Sequence, residues 1–337
     1  MRALLLLTVK NEASFLLEWL AHHLTCGFSH VLAYSNDCTD GTDLMLDRLA
    51  AMGHVTHVRN PGPHGEGPQW AALKAADKHP ALQAADWVLF CDVDEFVNIH
   101  VGDHRLPALL QALPDADAIA LTWRLFGNAG IVAYHDRPVT ETFTRAAPAT
   151  LGWPWRAQMF KTLFRNDGAY RKLGVHRPRN PDPDRAPRWY DGSGRAMPPS
   201  NRLFSDYRQD NYQVVQLNHY ALGAMESYLV KCDRGRANRD ASAFDLGYWV
   251  ERNLCDVVDR SIAALDSSAL RAAFLADPVL GPLHRQAVQW RHARFAALMA
   301  DEPWRALFGR LLMTRPSRAL TPPEAALIHA HSPQPND

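Results

Sequence analysis

Trp87-Val88-Leu89-Phe90-Cys91-Asp92-Val93-Asp94-Glu95-Phe96 is the stretch from which the fold is read. An apolar run, Trp87 to Cys91, breaks straight into three acids within four positions. Such a run predicts a strand buried on both faces in a mostly parallel sheet. In open α/β sheets ligands bind just past the carboxyl ends of strands, which is where Asp92 and Asp94 fall. Two hard carboxylates held there suit a divalent cation that keeps positions open for phosphate oxygens. The plainer alternative is an acidic turn that merely ends a strand.

Upstream, strand and helix patterns alternate. Ala3 to Val9 is a continuous apolar run. It is followed by Phe15, Leu16, Trp19, Leu20, His23 and Leu24 at helical spacing, with Gly27 as a stop. His30 to Ser35 and Val55 to Val58 are further strands, and Asp43 to Met52 and Gln69 to Lys78 are helices. Asn36 to Thr42 is a polar turn, and Asn60 to Pro68 is a Gly- and Pro-rich loop. This alternation predicts an α/β layered fold. Past Phe96 come a short helix from Leu106 to Leu113 and strands at Ala118–Trp123, Lys161–Phe164 and Tyr212–Tyr220. A helix follows from Ala224 to Arg236. His176 to Asn201 shows no periodicity and is rich in Pro, Arg, Asp and Gly, so a functional loop is expected there. From about Trp249 to Ala330 the pattern is mostly helical, and Ser332 to Asp337 is a polar tail expected to fray.

With 337 residues, 47% of them hydrophobic, the chain can bury a sizeable core. Lys plus Arg and Asp plus Glu both number 36, so bulk charge gives no support for nucleic-acid binding. Five widely spaced cysteines without a C-x-x-C pair argue against a zinc site or disulfide framework, and a cytoplasmic location is the default. Leu4 to Val9 is too short for a signal sequence or a transmembrane segment. The helical last third offers a face for a partner subunit or for peripheral membrane association.

Three groups of residues then coincide. Thr8-Val9-Lys10-Asn11-Glu12, with Leu17-Glu18-Trp19-Leu20 and His23, resembles the opening of family 2 and family 92 glycosyltransferases. Ser35 to Thr42 resembles their second-strand turn, and Asp92-Val93-Asp94-Glu95-Phe96 their D-x-D element. Trp123, Phe126-Gly127-Asn128-Ala129-Gly130, Lys161, His219-Tyr220, Ser227, Lys231, Arg234 and Gly235 follow in the same order. The resemblance covers roughly residues 1 to 240. It implies a GT-A fold in residues 1–240, with 241–337 as a helical C-terminal extension. It also implies a nucleotide-diphosphate-sugar donor such as a UDP-sugar, a glycan acceptor and a Mn²⁺ or Mg²⁺ ion. One departure is clear: the Glu-Asp pair that supplies the catalytic acid in many family 2 enzymes is absent.

Within this frame Asp92 and Asp94 are metal candidates, with His219, at a strand end, as third ligand. His176 is the alternative to His219, and a hydrogen-bonded core histidine is the plainer account of either. An imidazole among carboxylates would favour Mn²⁺ over Mg²⁺. Lys231 and Arg234, three apart on a helix, share a face and form a candidate diphosphate clamp. Asn11, Glu12, Asn36, Asp40 and Lys74 are candidate nucleotide contacts, with capping or turn duty as the ordinary alternative. Trp153-Pro154-Trp155 and Trp189-Tyr190 are candidate sugar platforms, and 176–201 a candidate lid. Inverting transfer needs a proton acceptor, for which Glu95 and Asp191 are the candidates; Glu95 could instead support the metal site. Two competing functions are a catalytically inactive carbohydrate- or protein-binding module and a sugar nucleotidyltransferase. The second usually opens with a Gly-rich basic loop, where this chain has Lys10-Asn11-Glu12.

Overall fold

The computed structural model describes residues 1–198, 203–235 and 245–331. The expected boundary between 240 and 241, the end of the 176–201 segment and the tail from Ser332 to Asp337 lie outside the described residues. The centre is a ten-stranded mixed sheet. Its strands are β1 (Ala3–Val9), β2 (His30–Ser35), β3 (Val55–Arg59), β4 (Trp87–Phe90), β5 (Glu95–Ile99), β6 (Ala118–Leu125), β7 (Phe160–Arg165), β8 (Trp189–Tyr190), β9 (Ala196–Met197) and β10 (Val215–His219). The order is β9-β8-β6-β7-β4-β1-β2-β3. β1 to β4 pair in parallel, and β7 runs antiparallel between β4 and β6. β10 sits off this path, parallel to β6 and antiparallel to β5.

Residues 3 to 7 of β1 and all of β4 are buried on both faces, because helices cover both. α1 (Ala13–Cys26) packs its Leu16, Leu17 and Leu20 into the larger core cluster. α3 (Pro68–Ala76) covers the opposite face with Ala72 and Leu73. α2 (Thr42–Ala51) and α4 (Leu106–Ala112) complete the first half. Gly27 ends α1 in the left-handed conformation, φ 107°, where its N–H reaches back to Leu24 O.

β5 is a strand that the sequence pattern does not disclose. Only four residues, Cys91 to Asp94, separate it from β4, so the two patterns fuse into one run. The 176–201 segment is also more ordered than its composition suggests. Trp189–Tyr190 and Ala196–Met197 join the central sheet, and Arg179–Pro181 pairs with Tyr170–Lys172. These pairs are too short to show periodicity. The first two pairs tie the middle of the candidate lid to the central sheet, and the third forms a separate two-stranded ribbon.

The last third is helical as expected: α5 (Met225–Arg234), α6 (Leu246–Arg252), α7 (Ser268–Ala276), α8 (Leu280–Leu298), α9 (Glu302–Met313) and α10 (Pro322–His329). Phe274 of α7 and Leu280 and Ala287 of α8 enter the same core as α1. Arg291 of α8 is buried against Ser14 and Glu12. The C-terminal helices therefore share the core of the sheet and reach its active end. Among the described residues no helix is long and apolar enough to cross a membrane.

Candidate active site

The carboxyl ends of β1, β4 and β10 open into a cleft of about 470 Å³. The register of β10 on β5 sets His219 opposite Glu95, and Tyr220 N–H donates to Asp94 O at 2.8 Å. His219 is thereby brought beside Asp94, with Nε2 3.7 Å from Asp94 Oδ2. The C-terminal turn of α5 points Lys231 at the same carboxylate, with Nζ 2.6 Å from Oδ2. Asp92 faces another cation: Lys161 of β7 donates to its Oδ2 at 2.8 Å.

Lys161 is a fully buried ammonium, and such a charge is tolerated only when paired. Besides Asp92 it lies 3.5 Å from Glu95. Burial alone would lower its pKa, but the Asp92 and Glu95 charges outweigh that and raise it. Glu95 is 0% exposed. Its carboxylate accepts the Trp123 indole N–H at 2.7 Å and the Asp92 backbone N–H at 2.9 Å. Burial pushes it up to about 8, against the pull of Lys161. Of the two roles open to Glu95, base or support of the metal site, this geometry favours support. Sealed off and saturated with donors, it cannot meet an acceptor hydroxyl; it fixes the turn that presents Asp92.

At Asp94 burial raises the pKa, but the Lys231 ammonium and His219 outweigh it and hold the carboxyl well below the usual range. His219 is lowered by burial, with Asp94 opposing. His176 also lines the cleft; burial, aided by Lys161, lowers it to about 4.

Glu12 is at the cleft wall, as expected, held by Arg234 at 2.5 Å and Arg291 at 3.5 Å. Four other candidates are elsewhere. Asn11, at φ 52°, exchanges hydrogen bonds with Thr39. Asn36 is buried between Val9 O and the Asn60 amide. Asp40 accepts from Ala13 N and from the Thr42 backbone and hydroxyl. These three staple the β1 and β2 ends together and do not line the cleft. Lys74 is exposed and paired with Glu66 on the surface. Asp191 is buried outside the cleft, bound to Arg195 at 2.8 Å and capping its own turn, so it too cannot serve as base. Of the aromatic platforms, Trp189 is a core residue bonded to Tyr170. Trp155 is exposed, and its neighbour Arg156 reaches the cleft.

Several lining residues have no counterpart in the sequence-based list: Lys10, Arg156, Tyr248 and Arg252. In all, five basic side chains (Lys10, Arg156, Lys231, Arg234, Arg252) face three acids (Glu12, Asp92, Asp94) in the cleft. Such an excess attracts a diphosphate. The donor set of two carboxylates and an imidazole suits Mn²⁺. Asp94 and His219 stand at a separation that two ligands of one ion can have, whereas Asp92 is turned to Lys161. Among the described residues no three His, Cys, Asp or Glu side chains form a ready metal cage.

The chain belongs to glycosyltransferase family 92, whose profile matches residues 7–231. A family 92 protein of Ricinus communis is 29% identical over 150 residues, 40% of this chain and 24% of that protein. One of Oryza sativa subsp. japonica is 27% identical over 143 residues, 40% of this chain and 23% of that protein. The chain thus matches about a quarter of the length of these relatives. Among solved structures, S. aureus TarS 1–349 in complex with UDP is similar at 18% identity and TM-score 0.30, covering 49% of this chain and 47% of that one. HddC from Yersinia pseudotuberculosis is similar at 10% identity and TM-score 0.29, covering 52% and 84%. The central sheet covered by helices on both faces is the α/β layered arrangement expected from the sequence.

Proposed function

We propose that the chain transfers a sugar from a nucleotide-diphosphate-sugar, a UDP-sugar first among them, to a glycan acceptor with inversion, the acceptor proton passing to a group other than Glu95 and Asp191. The observation that carries this is the charge layout of the cleft: Asp92 and Asp94 at the end of β4, each met by a lysine, under an excess of basic side chains. Breaking the bond from sugar C1 to diphosphate places negative charge on the leaving phosphate. Lys231 and Arg234 stand on one face of α5 to receive it, and preorganised cations in a partly dry site are effective at this. Asp94, His219 and Asp92 are the residues that would hold a divalent cation, with Asp92 released from Lys161. When bound, that cation supplies Lewis-acid neutralisation of the same charge. Glu12 braces Arg234 and Arg291, so β1, α5 and α8 close around the cleft as one unit.

The UDP of the TarS complex is a property of that protein; here it recommends the first donor to try. The test is a screen of nucleotide-sugars for Mn²⁺-dependent thermal stabilisation, because a ligand that binds only the folded state raises Tm. A UDP-sugar is expected to give the largest shift, and Asp94→Ala to abolish both the shift and turnover. Full turnover by purified Asp94→Ala would refute the assignment.

A further inference from the structure

A second cavity, of about 430 Å³, opens on the other side of the Asp94–Lys231 pair. It lies among the start of α1, the segment from Ile131 to Phe143 and the start of α5, and its size falls in the ~300–1,000 Å³ range of ligand pockets. A narrow space of about 40 Å³ lies between the two: its lining shares Phe15, Gly223 and Ser227 with the cavity and Asp94 and Lys231 with the cleft. Ser227 borders both the cavity and the narrow space. It is 5% exposed, yet its hydroxyl is buried without a hydrogen-bond partner. An orphaned buried hydroxyl destabilises the fold, a cost that a ligand supplying the missing bond removes. It stands in the first turn of α5, where the carbonyls of Ile131 and Val132 already take the N–H groups of Met225 and Glu226.

The walls identify the class of ligand. Phe15, Tyr134 and Phe143 offer apolar ring surface, Thr142 and Ser227 offer hydroxyls, and Arg137 is balanced by Glu141. There is no net excess of positive charge to hold a phosphate, in contrast to the cleft. A neutral saccharide, with C–H faces for the rings and hydroxyls for Ser227 and Thr142, matches this surface. The narrow space has room for a few waters, since one needs ~10–15 Å³, so a hydroxyl or hydroxymethyl arm can enter it and a sugar ring cannot.

We infer that this cavity binds a neutral hexose unit of the acceptor glycan and points one of its hydroxyls through the gap beside Ser227 toward Asp94. The assignment rests on the glycan-acceptor function proposed above, so its test separates the two sites. Saturation-transfer NMR would be run on the whole chain with methyl β-galactoside, methyl β-glucoside and methyl α-mannoside as probes. UDP with Mn²⁺ would be titrated in parallel. At least one glycoside is expected to bind the unsubstituted protein saturably. Ser227→Ala, losing one hydrogen bond, is expected to weaken it roughly three- to tenfold. Ala133→Trp, which plugs the cavity from a half-buried wall position, should abolish it. Both variants should keep unchanged UDP binding, and Ser227→Ala, which removes an unpaired buried hydroxyl, should hold or raise Tm. Absence of glycoside binding, or binding unaltered by Ala133→Trp, overturns the inference. Loss of UDP binding in the unsubstituted protein would instead strike the donor assignment.

Discussion

At the scale of single residues the decisive contrast is between Asp94 and Glu95. They are adjacent, yet one faces the cleft between Lys231 and His219 and the other is sealed under Trp123 and Lys161. Asp94 is the last residue of the turn and Glu95 the first of β5, so the turn presents one carboxylate to the cleft while the strand carries the other into the core. Glu95→Gln is therefore expected to lower kcat by less than about tenfold and to leave the pH–rate profile unmoved. A true base would cost ~10²–10⁴-fold and remove a limb of the profile. Lys161→Met should be far worse for folding, because it removes the buried ammonium that pairs with Asp92 and borders Glu95. A loss of about 3–5 kcal/mol in urea unfolding is expected, as for other broken buried pairs. Asp92 and Asp94 were legible in the sequence because a strand end and its ligands are contiguous. Lys161 belongs to the same site but enters from an antiparallel strand 69 positions later. Its signal was a lysine inside the apolar run Phe160 to Phe164, a position no solvated lysine would hold. Asn11, Asn36 and Asp40 misled for the opposite reason: a polar residue after a strand can serve the turn as readily as a ligand, and only the folded geometry distinguishes them.

At the scale of elements, two contacts show how β-strands and loops are locked in place. The loop after β6 lies so close to Leu254 and Cys255 that a Cβ on Gly127 would meet the Leu254 carbonyl and Cys255 Sγ. Gly127→Ala should cost about 1–3 kcal/mol through overpacking, read as a lower midpoint in chemical unfolding at unchanged m-value. On α1, His22 is buried with Nε2 2.7 Å from Val97 O, and burial lowers its pKa to about 4. The folded state then binds fewer protons than the unfolded one between pH 6.5 and about 4. Its contribution is complete above pH 6.5 and is lost as pH falls toward 4, by up to roughly 3 kcal/mol. Stability should decline over that window, and His22→Gln should flatten the decline. The long strands and helices were readable from periodicity. β5 and the two-residue strands β8 and β9 were not, being too short or too near a neighbour to carry a period.

At the scale of the whole molecule, the C-terminal helices complete the site. Arg291 of α8 is 4% exposed and reaches Glu12 across 279 positions. Tyr248 and Arg252 of α6 line the cleft. No sequence motif marks these residues, because a helix in this region carries a packing pattern and its few inward charges look like any surface charge. Arg291→Ala leaves Glu12 with one cation in place of two, so it is expected to lower Tm by several degrees and weaken donor binding together. Parallel thermal melts with and without UDP would show both effects. The most direct test of the cleft as a metal-assisted diphosphate site is calorimetric titration of UDP into the protein with Mn²⁺, then with excess EDTA, then into Asp94→Asn. Saturable binding that weakens at least about tenfold in both of the latter is the predicted result. No saturable binding, or equal affinity under all three conditions, would contradict it.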